Sequence, residues 1–154
     1  MMTTEVTQAL FEQALQRNPS QFKHRNHPVE RISWFDAIEL SNSLSRMNDL
    51  ELCYTIDESG VQWPAGFDCT GWRLPTEAEW EFAARGKPKW WSPDGAYAGS
   101  PWFDRVAWGK HNSETHSHPV AQLLPNSNGL YDMSGNVAEW VWDAYQPYDS
   151  GTKD

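Results

Sequence analysis

The stretch "GWRLPTEAEWEFAARG", residues 71–86, decides how the rest of the chain is read. Thr76 and Glu79 stand three apart ahead of an apolar run, the spacing of a capping box in which each side chain bonds the other residue's backbone amide. Trp80, Ala83 and Ala84 then share one helical face, and Gly86 followed by Pro88 ends the helix. Two further helices start in the same manner. "SWFDAIELSNSLSRMN", residues 33–48, offers Ser33 as N-cap with Asp36 three residues on, and a stripe of Trp34, Ala37, Ile38 and Leu44. "TQALFEQALQR", residues 7–17, offers Thr7 as N-cap and an apolar face of Leu10, Phe11, Ala14 and Leu15.

Between the second and third helices, "CYTIDESGVQW" (53–63) reads as a hairpin, with Tyr54, Ile56, Val61 and Trp63 around a polar Asp-Glu-Ser-Gly turn. Cys53 and Cys69 bracket it. A bridge between them closes a loop of about 15 residues and adds roughly 3 kcal/mol in the chain-entropy model. Two reduced, buried thiols are the other reading, favoured by the lack of an export leader. Sequence leaves both open.

From residue 87 to 128 periodicity fades into Gly, Pro, Ser and Trp, which reads as long ordered loops broken by short strands. A loop tract of that length needs something to fix it, either packed rings or a metal. Ten tryptophans in 154 residues point to a core richer in rings than in aliphatic side chains. No repeat, linker or low-complexity tract divides the chain, so residues 1–154 are expected to form one domain.

The net charge of -9 repels nucleic acid and anionic membranes. No apolar run reaches the length that crosses a bilayer, so membrane insertion is not expected. The N-terminus has no basic region ahead of an apolar stretch, so the protein as written is expected in the cytoplasm, or outside it if a leader was removed.

"GLYDMSGNVAEW", residues 129–140, carries the strongest chemical signal. Calcium takes six to eight oxygens and mixes carboxylates with backbone carbonyls. The carboxylates of Asp132 and Glu139, with the carbonyls of Gly135 and Val137, offer four from one turn, and glycine permits the bend. The plainer reading makes Asp132 a turn cap and Glu139 a solvated acid. In "KHNSETHSHPV", His111, His116 and His118 lie close together, yet without a supporting cysteine they read as loop residues rather than as a metal site.

Four stretches together resemble the formylglycine-generating enzyme family, also called sulfatase-modifying factor: residues 3–22, residues 28–48, "GWRLPTEAEWEFAARG", and "HPVAQLLPNSNGLYDMSGNVAEWVWD" (118–143). The resemblance runs from Thr3 to Asp143 in family order. It implies an α+β fold of the C-type lectin-like type, minimal or truncated, with two to three helices, a small antiparallel sheet and long Trp-rich loops. It implies a structural calcium held by Asp132, Gly135, Val137 and Glu139. A second calcium position would start at Asn112 and the Ser113 carbonyl, but the shortened "ETHSHPV" lacks the aspartate that should complete it.

Departures from the family pattern point away from catalysis. The family's oxidase uses paired cysteines after an R-G-G-S-W-like strand, and the given sequence ends at "DAYQPYDSGTKD" before such a segment. Cys53 and Cys69 do not map to that pair, so copper is not expected. The glycine-rich strands that precede "EVT" in the family are also missing, and Ala138 stands where the family carries tryptophan. The expectation is a calcium-stabilised binding or assembly module that meets a protein partner or itself, with the loops of residues 87–128 as contact surface. The alternative is a formylglycine-generating oxidase or related oxygenase whose remaining strands lie elsewhere. A scaffold displaying variable residues is a third possibility.

Overall fold

The computed structural model describes residues 1–87 and 96–146. The Pro88 helix stop, the part of the Trp-rich loop at 88–95 and the tail from 147 lie outside them. The three helices form as their caps dictate. Helix α1 covers Gln8–Leu15, and the Thr7 hydroxyl accepts from the Leu10 amide. Helix α2 covers Trp34–Met47 with the complete Ser33–Asp36 capping box, and α3 covers Glu77–Arg85 with the complete Thr76–Glu79 box, ending at Gly86. Strands β1 (Thr55–Asp57) and β2 (Gly60–Gln62) pair antiparallel with Ile56 opposite Val61.

Among the described residues this hairpin is the entire sheet, and it is mostly exposed. Among the described residues after 87, the expected short strands are reduced to a single Tyr97–Ser100 bridge and a 3-10 turn at Phe103–Arg105. Side-chain bonds and rings hold the loops instead. Tyr97 meets the Phe103 ring edge-on at 5.0 Å, and Trp108 stacks on His118 at 3.9 Å.

The interior has an aliphatic part and an aromatic part. Phe11, Val29, Leu40 and Leu44 form the first, between α1, α2 and the extended segment after Pro28. The second gathers Ile38, Tyr54 and the Cys53–Cys69 disulfide, with Trp34, Trp63, Leu74 and Trp142 packed around it. Tyr54 stacks on Trp142 at 5.1 Å, and Trp63 meets Trp142 at 5.3 Å. Asn42, buried in α2, clasps the entry to the hairpin: its amide donates to the Tyr54 carbonyl (2.8 Å) and its oxygen accepts from the Tyr54 amide (3.2 Å). The two cysteines are thus bonded to each other, with Cα atoms 5.6 Å apart, which resolves the pairing that sequence left open.

The segment after residue 139 ties the helix starts together. Trp34 donates through Nε1 to the Val141 carbonyl (3.0 Å), Trp142 donates its amide to Pro75 (2.9 Å), and Asp143 accepts from the Glu77 amide (2.6 Å) at the start of α3. A carboxylate at that end also suits the helix dipole. This anchoring positions the acidic turn before it.

Candidate functional site

The turn at 132–137 is built by two residues in the left-handed region and one glycine held against a carbonyl. Asp132 and Asn136 have φ of 60° and 65°, which asparagine and aspartate tolerate better than most side chains. Gly135 comes so close to Trp108 that a Cβ would fall 2.2 Å from its carbonyl oxygen. That same oxygen accepts from the Asn136 amide at 2.9 Å. The glycine is required by this close approach, not by a positive φ.

Asp132 is 4% exposed. Its Oδ2 accepts from the Ala121 amide (2.8 Å), while its Oδ1 is buried with no hydrogen-bond partner. Glu139 is open to solvent over much of its length, but its carboxyl lies in a protein-dense recess and accepts from Trp80 Nε1. Burial raises the pKa of both acids, and for Glu139 the charge of Asp132 adds to it.

A third acid joins them that sequence reasoning missed. Glu5, 7% exposed, accepts from the Val137 amide (3.1 Å) and from Asn136 Nδ2 (2.7 Å) across 131 residues of chain. Burial, followed by the charges of Asp132 and Glu139, pushes its carboxyl up to about 8 against the hydrogen bonds that favour the ionised form. No salt bridge among the described residues reaches any of the three acids. An unpartnered buried carboxylate oxygen beside two further uncompensated acids fits a hard cation with oxygen ligands. Asp132, Glu139 and the carbonyls of Gly135 and Val137 are the residues that would hold it, while Glu5 is committed to the turn's own donors. No three His, Cys, Asp or Glu side chains converge as a metal centre by themselves among the described residues.

Asn112 lies in a different cluster. Its Oδ1 accepts from the Gly109 amide (2.7 Å), and its Nδ2 donates to Ala107 (3.0 Å) and to Asp104 (3.1 Å). The Ser113 carbonyl faces His118 Nε2 at 3.1 Å and accepts from the His116 amide. The group around Asn112 is engaged in closing its own loop. The histidines do not assemble either. His111 bonds Asp104 (2.7 Å), whereas His116 and His118 pack on each other and on the rings of Phe22 and Trp108.

Beside the acidic turn opens a cleft of about 1020 Å³, with Glu5, Val137, Ala138 and Glu139 on one wall and Val29, Leu40 and Leu44 of the aliphatic core on another. No sequence pattern marks it, because a hollow lined by segments as far apart as Glu5 and Glu139 has no local signature.

Residues 1–153 match the sulfatase-modifying factor enzyme 1-like domain. The chain is 37% identical to the chaperone protein LppX of Paenibacillus barcinonensis, over 90% of this chain and 60% of that protein. It is 32% identical to the formylglycine-generating enzyme of Streptomyces coelicolor (79% and 34%) and 34% identical to the inactive C-alpha-formylglycine-generating enzyme 2 of Mus musculus (80% and 42%). Among solved structures, Treponema denticola variable protein 1 superposes with a TM-score of 0.83 at 34% identity, covering 96% of this chain and 63% of that one. CarF superposes at 0.75 and 34%, covering 95% and 69%. The chain therefore spans about 60% or less of the curated relatives just named. The fold is the α+β, C-type lectin-like architecture of these proteins, and the chain belongs to the sulfatase-modifying factor enzyme 1-like family, among whose members are the formylglycine-generating enzymes.

Proposed function

We propose that this chain is a non-catalytic binding or assembly module on a calcium-stabilised scaffold. One observation carries the reading. The two cysteines within residues 1–154 are bonded to each other, so neither is a free thiol able to serve the family's copper-dependent oxidation. Relatives named as a chaperone and as an inactive enzyme support it, since this scaffold is already used without the oxidase activity.

Calcium, when bound, supplies positive charge to an acidic turn and locks its backbone. Asp132 and Glu139 hold it by carboxylates and Gly135 and Val137 by carbonyls, with Glu5 and Asn136 holding the turn in shape from behind. The contact surface includes the loops at 96–128, where Trp102 is 63% exposed while Tyr97, Phe103 and Trp108 are half-buried in ring contacts. The disulfide supports residence in an oxidising compartment, the exported alternative to the cytoplasm.

The test is incubation of the purified chain with a Cys-containing sulfatase-motif peptide, with and without copper. Mass spectrometry is expected to find no formylglycine, and conversion would refute the module reading. The relatives named as formylglycine-generating enzymes favour a second reading, an oxidase completed by a segment from elsewhere. Sequencing the native transcript past Asp154 for R-G-G-S-W and two further cysteines separates the two.

A further inference from the structure

Four histidines from two distant loops meet at one seam. His24 and His27 lie on the segment before Pro28, and His116 and His118 on the loop after Asn112. The rings of His24 and His27 have centroids 4.6 Å apart, and those of His116 and His118 are 4.8 Å apart. Two bonds cross the seam. His27 Nδ1 reaches the Ser117 hydroxyl (3.2 Å) over 90 residues of chain, and the Val120 amide donates to the Asn26 carbonyl (3.0 Å). Phe22, 5.8 Å from the His116 ring, and Trp108, stacked on His118, flank it.

The seam carries bases on both sides and no acid paired to them. Among the described residues none of these four histidines makes an ion pair, whereas His111, outside the seam, meets Asp104 at 2.7 Å. The charges that act on His27 are those of His24 on its own loop and of His118 and His116 opposite. Lys23 and Arg25 flank His24, and Lys110 shares a small hollow with His116. Glu30 lines that hollow too, but its carboxylate accepts from the Gln21 and Phe22 amides, and the nearby Glu114 is exposed. The remaining neighbours are neutral. From α1 the Gln8 amide donates to the His27 carbonyl (2.9 Å), and from the acidic turn Asn136 clasps the amide and carbonyl of His118 (2.9 and 3.1 Å), with Glu5 committed behind it. Burial, then the charges of His24, His118 and His116, lower the pKa of His27 from the ordinary 6.5. A base whose folded pKa is lowered binds its proton better once its surroundings open. The seam's stability is therefore whole above about pH 6.5 and falls as pH drops from there.

We propose that this histidine seam is a pH-operated latch: neutral imidazoles hold the loop of residues 113–120 against that of residues 22–28, and mild acid parts the two. Histidine is the side chain whose charge changes in that range, and protonating a cluster of them turns packing into like-charge repulsion. Opening breaks the bonds to Ser117 and Asn26 and frees one end of the 96–128 loops. The ring cluster around the disulfide holds no histidine and stays closed. This goes beyond the module reading by giving its contact surface two states, and it requires neither calcium nor a partner.

Amide hydrogen exchange read by NMR tests the latch on the intact chain between pH 7.0 and 5.5, with rates corrected for the intrinsic effect of pH. EDTA in the buffer keeps calcium and histidine-binding metals out. Protection of the Val120 amide is expected to fall at least tenfold over that range. Protection of the Tyr54 amide, held by Asn42 at 3.2 Å in the ring cluster, is expected to change less than twofold. His24→Gln with His27→Asn removes both imidazoles of one loop, the asparagine amide standing in for Nδ1 at Ser117, and is expected to shrink the Val120 loss below threefold. His116→Gln, which touches neither bond across the seam, is expected to halve the loss at least, and decides alone if the double variant does not fold. A Val120 amide indifferent to pH, or a parallel loss at Tyr54, overturns the proposal. A loss undiminished by the histidine substitutions also overturns it, and assigns the pH dependence to an acid such as Glu5.

Discussion

The ring cluster around the disulfide and the acidic turn at 132–139 both bury polar groups, the turn at Asp132 while Glu139 stays open to solvent, and they solve burial in opposite ways. In the first, no charge is buried and protein atoms meet most polar needs, although Trp63 Nε1 is buried without a partner. Rings stack on rings, the Tyr54 hydroxyl accepts from the Leu74 amide (2.9 Å), and Asn42 satisfies the hairpin backbone. In the second, three acids are drawn together with no base, and one carboxylate oxygen has no partner. A region closed by its own atoms does not depend on a dissolved ion. Should the proposed calcium close the acidic turn, that region would take its stability from the solution. The teaching is that burial alone does not identify a core. The charge left uncompensated there shows where the molecule is unfinished.

Breaking the self-sufficient region has the largest expected effect. Replacing both cysteines, Cys53→Ser with Cys69→Ser, removes a cross-link across 16 positions and is expected to cost about 3 kcal/mol, or roughly 6–12 °C in a chain of this size. Thermal denaturation of the parent and the double variant, both in calcium, measures it. A shift under 2 °C would mean the rings hold the hairpin without the bridge.

The acidic turn yields the next effect, and its sign sharpens the contrast. Calcium at a hundredfold excess over Kd is expected to add about 2.7 kcal/mol to the parent relative to chelator, roughly 5–10 °C. Asp132→Asn keeps an oxygen for the Ala121 amide while removing one uncompensated charge. In chelator this variant is expected to melt no lower than the parent, and in calcium its gain shrinks to near zero. Differential scanning calorimetry in the four conditions decides. If Asp132→Asn is equally destabilised with and without calcium, the carboxylate serves the turn and not an ion.

How much of this was legible in the chain depends on distance along it. The helix starts at Thr7, Ser33 and Thr76 were readable because a cap and its partner lie three residues apart. The turn's candidates Asp132 and Glu139 were readable for the same reason, seven residues within one loop. Glu5 was not, because its bonds to Asn136 and Val137 span more than 130 residues and no local pattern marks them. The disulfide was undecided because spacing sets a loop length but not whether two Cβ vectors face each other. Among the described residues, the short strands expected after residue 87 are largely replaced by loops that rings and side-chain bonds fix, such as Asn112 to Gly109 and Asp104, instead of ladder pairing.

The smallest effect separates compensated from uncompensated acids within one pH titration. Arg73 grips Glu79 with two bonds of 2.7 and 2.8 Å, and this pairing, with the Thr76 amide, holds the Glu79 carboxyl down to about 2. A depressed folded-state pKa gives stability that is fully present above the unfolded value near 4.5 and lost as pH falls from there toward 2. Because both side chains are partly exposed, the contribution is at most about 1 kcal/mol. Glu79→Gln is therefore expected to lower the melting temperature by a few degrees at pH 6 and to converge with the parent by about pH 2.5. Melting curves across that range, both proteins in the same calcium-free buffer, test it. A gap that stays constant down to pH 2.5 would show that Glu79 acts through the capping box alone, with its charge pairing to Arg73 adding nothing.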